Sequence, residues 1–122
     1  MKFTEFITIF IVILLSYSCS DSTEIITNHA PTAVFSYTPV IADTSTIIQF
    51  DASESSDSED LAGQLMFKWD FYGRQTWTNG ENNPTTNYRY DEAGTYIVGL
   101  KVIDTEGWSN ETTKTIIIRD SI

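Results

Sequence analysis

Four side chains carry the oxygen donors that a hard divalent cation takes. Asn28 offers an amide carbonyl, and Asp57, Glu59 and Asp104 offer carboxylates. Calcium accepts about six to eight oxygens from carboxylates, amides and backbone carbonyls, so this set suits it once three distant segments are brought together. Alternatively, Asp57 and Asp104 each cap their own turn by accepting neighbouring backbone N–H groups, and the Ser-Asp-Ser-Glu-Asp run is a solvated loop. Catalysis has less to draw on. Asp57 with Asp60, and Asp91 with Glu92, are loop carboxylates in polar sequence, without the apolar surroundings that raise one pKa for acid–base work. His29 is the only histidine and Cys19 the only cysteine, which excludes an intramolecular disulfide and a zinc cluster. These residues predict no enzyme. Trp108, next to Gly107 in a turn sequence, is expected to be exposed and to contact a ligand or partner.

The cation donors can meet only if strands carry them to one end of a fold. Leu65, Phe67, Trp69 and Phe71 alternate with Met66, Lys68, Asp70 and Tyr72, a period of two that places the first set on one face of a strand. Three of those side chains are aromatic, and each ring removes about 150 to 250 Å² from water, enough to nucleate a sandwich core. Further strand signals follow from Pro31 onward: residues 33–37, residues 46–51 with Ile48 and Phe50 inward, a short strand around Trp77, residues 85–90, residues 94–104 and residues 112–118. The last is rich in Thr and Ile and is expected at a sheet edge. About seven short strands and no helix predict an all-β, antiparallel sandwich. Its expected core includes Phe50, Phe67, Trp69, Phe71, Tyr96 and Leu100. Asp70 is expected to satisfy backbone donors at the end of its strand. Antiparallel order then places the 51–63 loop, Asn28 and the 104–108 turn at one end. Trp77 falls at the other end over the core edge, so Trp69, Trp77 and Trp108 share no stacking platform.

Composition narrows the partners. The chain of 122 residues carries 7 Lys and Arg against 17 Asp and Glu, a net charge of −10, which excludes nucleic acid or an anionic membrane surface as the main partner. Its length fits one domain with a tail. Residues 1–18 have the form of an export leader: Lys2 near the start, an apolar run over residues 6–15 broken only by Thr8, and small residues Ser16 and Ser18 before Cys19. The apolar run is shorter than the ~20 residues a membrane span requires. Leu15-Ser16-Tyr17-Ser18-Cys19 resembles a bacterial lipobox, which implies acylation of Cys19 and a membrane anchor through that lipid; the alternative is an exported protein with a spare thiol. Residues 19–28 form the lipidated Cys and an acidic tether, and residues 29–119 the folded domain.

Several anchors in order resemble one family. Ala30-Pro31 and Ala33, Phe50-Asp51-Ala52-Ser53 with Ser55-Ser56-Asp57, Phe67-Lys68-Trp69-Asp70-Phe71, Tyr90, Gly94-Thr95-Tyr96, and Val98-x-Leu100-x-Val102-x-Asp104-x-x-Gly107 resemble the PKD (polycystic kidney disease) domain. The resemblance covers roughly residues 28–118. It implies an immunoglobulin-like antiparallel β-sandwich of about seven strands, a non-catalytic role in adhesion, spacing, or contact with protein or carbohydrate, and in some members calcium at such a junction. One departure stands out: the family commonly continues Trp-Asp-Phe with Gly-Asp-Gly, whereas this chain continues with Tyr72-Gly73-Arg74-Gln75. The expected protein is an exported cell-envelope lipoprotein of the outer membrane, whose domain binds a surface protein or acts as a spacer. A carbohydrate-binding accessory module, using Trp108 against a polysaccharide, is the alternative. No cofactor is required, and calcium is the one cation the donors suit.

Overall fold

The computed structural model describes residues 25–122. The expected leader, Cys19 and the tether as far as residue 24 lie outside the described residues. Seven strands form two sheets. β1 (Ser36–Thr38), β3 (Ile48–Asp51) and β5 (Thr85–Tyr88) make a three-stranded sheet in the order β1-β3-β5. β2 (Ala42–Asp43), β4 (Met66–Asp70), β6 (Gly94–Ile103) and β7 (Ser109–Arg119) make a four-stranded sheet in the order β2-β7-β6-β4. All neighbours pair antiparallel except β2, which runs parallel to β7. A single 3-10 turn, Ala62–Gln64, leads into β4.

Alternation decides which side chains go inside. Val98, Leu100 and Val102 of β6 are fully buried, and Ile116 and Ile118 of β7 are buried while Ile117 between them is exposed. Phe67 and Trp69 of β4 face Ile48 and Phe50 of β3 across the sandwich. The Trp69 ring meets Phe35 edge-on at 5.3 Å, Phe50 at 5.7 Å and Phe71 in a stacked arrangement at 6.3 Å. These offset and edge-to-face contacts suit the ring quadrupoles and make this cluster the centre of the core.

Three expectations are corrected. Tyr96 is half-buried at the rim, stacked on Tyr90 at 4.1 Å, and Tyr90 is the tyrosine that is fully enclosed. The residues around Trp77 form no strand; the seventh strand is β2, too short to leave a period in the sequence. β2 also covers β7, so the last strand is internal to its sheet. Trp77 lies on the outer face of the four-stranded sheet, against Gly99 and beneath the Lys101 ammonium at 4.8 Å. A side chain at position 99 would meet that indole, and this is why a Gly in mid-strand is tolerated there.

Candidate functional site

Chain direction brings three segments to the end where residue 28 enters the sandwich. β3 leads into the loop that holds Asp57 and Asp60, β6 ends at Ile103 just before Asp104, and residues 30–32 run in beside the loop, with Thr32 paired to Ser56. Asp57, Asp60 and Asp104 each direct a carboxylate oxygen into one spot, all within 4.8 Å of one another. Asn28 joins them, its side-chain amide donating to Asp104 Oδ2 at 2.7 Å.

Each carboxylate is held by backbone donors. Asp57 Oδ1 accepts the N–H groups of Glu59 and Asp60, both at 2.8 Å. Asp104 is 4% exposed, and its Oδ1 accepts the N–H groups of Glu106 and Trp108. Burial pushes the Asp104 pKa up, but the Asn28 amide and the N–H groups of Trp108, Glu106 and Gly107 outweigh it, so the net shift is downward. Asp60 reaches across the end of the sandwich, accepting from Thr105 N at 2.7 Å and Thr105 Oγ1 at 3.0 Å. Two oxygens have no donor: Asn28 Oδ1 and Asp57 Oδ2 are buried without a hydrogen-bond partner. A buried acceptor left unmet is costly and calls for an explanation. Among the described residues, no salt bridge engages Asp57, Asp60 or Asp104.

The donor set differs from expectation at one residue. Glu59 points away from the cluster: its Oε2 meets His29 Nδ1 and Ser58 Oγ, and its Oε1 accepts His29 N. The Ser58 hydroxyl and the His29 contacts hold its pKa at about 2. Asp60 takes the place expected for Glu59. The two Asx-type bonds to Asp57 curl the chain so that the residue three places on returns toward the centre, and the Asp-x-x-Asp spacing was the signal that could have shown it. Trp108 lies beside the cluster, 53% exposed, with its backbone bonded in both directions to Asp104.

Two packed sheets around an aromatic core, with polar loops gathered at one end, define an immunoglobulin-like β-sandwich module. More particularly, the chain belongs to the PKD domain family, which matches residues 28 to 118. The PKD1 domain of Vibrio anguillarum Epp is 28% identical, with a TM-score of 0.60 over 78% of this chain and 100% of that one. The PKD1 domain of the Vibrio cholerae metalloprotease PrtV is 29% identical, with a TM-score of 0.58 over 75% and 99%. A structure concerned with the promiscuous specificity of carbohydrate-binding modules of the β-sandwich superfamily is 34% identical, with a TM-score of 0.68 over 79% of this chain. The match spans 37% of that structure's length. None of the curated proteins matches the chain. PKD domains are generally non-catalytic modules, typically of extracellular or secreted proteins. Among the described residues, no helix is long and apolar enough to cross a membrane.

Proposed function

We propose that this PKD domain is a non-catalytic module of a cell-envelope lipoprotein of the outer membrane. In this reading it is anchored through acylated Cys19, it contacts a surface protein or serves as a spacer, and calcium sits among Asn28, Asp57, Asp60 and Asp104. One observation carries the calcium site: the two donorless buried oxygens of Asn28 and Asp57 lie where three carboxylates converge. Calcium–oxygen bonds of about 2.3 to 2.6 Å put ligands on opposite sides of the ion about 5 Å apart, which the 4.8 Å limit of the cluster accommodates. The ion would offset the repulsion of the carboxylates and fasten residue 28 to the sandwich. Calorimetric titration of the purified domain with calcium chloride is expected to show one site that Asp60→Asn weakens. Unchanged melting and amide spectra on adding calcium would dispose of it. For the anchor, Cys19→Ala is expected to release the protein from the membrane fraction, and unaltered fractionation would defeat that part.

Saccharide binding is the second reading, favoured by the likeness to carbohydrate-binding modules. Trp108 and its polar neighbours are the surface first expected to serve it.

A further inference from the structure

The segment that follows Trp77 covers the outer side of β4, and it does so out of step. Thr78 N donates to Trp69 O and Trp69 N to the Thr78 hydroxyl, while Phe67 and Glu81 exchange both backbone bonds, at 2.7 and 3.2 Å. On β4 one residue, Lys68, separates Phe67 from Trp69, whereas two residues, Asn79 and Gly80, separate Thr78 from Glu81. The extra residue makes a β-bulge, which leaves a backbone group outside the ladder. Gly80 N is that group: among the described residues it donates to no acceptor. Packing accounts for the glycine, because an added Cβ would lie 2.8 Å from Met66 Cε and 3.3 Å from Lys68 Cε.

Asn79 stands apart from the other asparagines. The Asn28 amide is held by Asp104 and the Asn82 amide by Leu65 O, while Asn83 and Asn110 accept through Oδ1 from Thr85 and Glu111. Asn87 is fixed in the ladder between β3 and β5. Asn79 is exposed, and among the described residues its amide makes no hydrogen bond. It is also the one asparagine followed by a glycine; the residues after the others are His29, Asn83, Pro84, Tyr88 and Glu111, each with a Cβ that crowds the backbone nitrogen or, at Pro84, with no N–H at all. A free side-chain amide therefore precedes a free and uncrowded backbone N–H.

We propose that Asn79-Gly80 is a self-modification site of the folded domain. Gly80 N attacks Asn79 Cγ, the Cγ–Nδ2 bond breaks, and the amide leaves as ammonia with the proton that Gly80 N gives up. Water then opens the cyclic succinimide at either carbonyl, returning a proton to the nitrogen and leaving aspartate or isoaspartate, with no change of oxidation state. Either product adds a carboxylate to the rim of the cleft of about 270 Å³ whose lining includes Phe67, Trp69, Asn79 and Glu81. Isoaspartate also inserts a methylene into the main chain inside the bulge, so the Phe67–Glu81 pair that covers β4 opens. The test is incubation of the purified protein in mildly alkaline buffer made with heavy-oxygen water, beside a sample held unfolded in urea, followed by peptide mapping with mass spectrometry. In the folded sample Asn79 is expected to convert ahead of every other asparagine, giving two separable products that both carry the heavy oxygen. Asn79→Ser should remove the conversion. Gly80→Ala, which the flexible end of Met66 can accommodate, should slow it about fivefold, the rate equivalent of the ~1 kcal/mol of backbone freedom that separates Gly from Ala. Amide exchange in the isoaspartate product should quicken at Phe67 and Glu81 and stay unchanged at Leu100. Conversion of Asn79 in the unfolded sample alone would overturn the proposal, because the fold would then protect the bulge. Unchanged exchange at Phe67 and Glu81 would overturn the opening of the β4 cover.

Discussion

Three carboxylates gathered as closely as Asp57, Asp60 and Asp104 repel one another, and the structure offsets this with oriented N–H donors, not with a basic side chain. A cation therefore adds what the protein lacks. Saturating calcium is expected to raise the melting temperature by roughly 10 °C, the shift that about 2 kcal/mol gives a domain of this size, and Asp57→Asn should remove the rise. At the opposite end, burial first and the Tyr72 hydroxyl second push the Tyr88 pKa up from 10.0 to about 12, and burial also raises Tyr90. A raised tyrosine pKa favours the protonated native state, so this contribution is whole below pH 10 and is lost as pH climbs through about 12. Phenolate absorbance should lag behind that of the unfolded chain over this window while the urea midpoint falls; a midpoint that held constant would contradict the assignment. At this scale the sequence was only partly legible. The convergence of Asn28, Asp57 and Asp104 follows from strand direction, which the alternating residues reveal. Whether Glu59 or Asp60 turns inward is set by the Asx turn at Asp57, which the Asp-x-x-Asp spacing signals but the alternation of apolar residues does not reach.

The turn after β4 shows how an element can be specified by one buried acid. Asp70→Ala would leave Tyr72 N and Gln75 N without their acceptor and should cost about 3 kcal/mol, measured by denaturant unfolding. Gly73 is constrained in two ways: φ 66, and an added Cβ would lie 3.0 Å from Ile97 Cβ and 3.2 Å from Ile97 O. Gly73→Ala should cost about 2 kcal/mol by the same measurement, while Gly107→Ala, strained but open on all sides, should cost less. The role of Asp70 could be anticipated from its place at a strand end. The left-handed Gln75 could not, because nothing in its type asks for that conformation. β2 escaped notice for a different reason. Its Ala42 and Asp43 pair with Ile118 and Arg119, and two residues cannot establish a period. The misplacement of the last strand at an edge followed directly from missing its cover.

Across the whole molecule, stability rests on the contact between the sheets, and Trp69 is where Phe35, Phe50 and Phe71 meet. Trp69→Ala should remove about 3 to 5 kcal/mol from a total of about 5 to 15, and calorimetry should find the variant marginal or unfolded. The core was legible because its positions alternate strictly in β3, β4 and β6; Tyr96 kept the right parity but sits too near the strand end to be covered. The long ladder of β6 and β7, running from Gly94 against Ile118 to Ile103 against Ser109, has a mechanical meaning as well. Residue 28 enters at one end of the sandwich and Arg119 lies at the other, at the foot of β7. Tension between those two points slides β7 lengthwise past both β6 and β2. Its hydrogen bonds are then loaded in parallel and must fail together, whereas peeling would break them one by one.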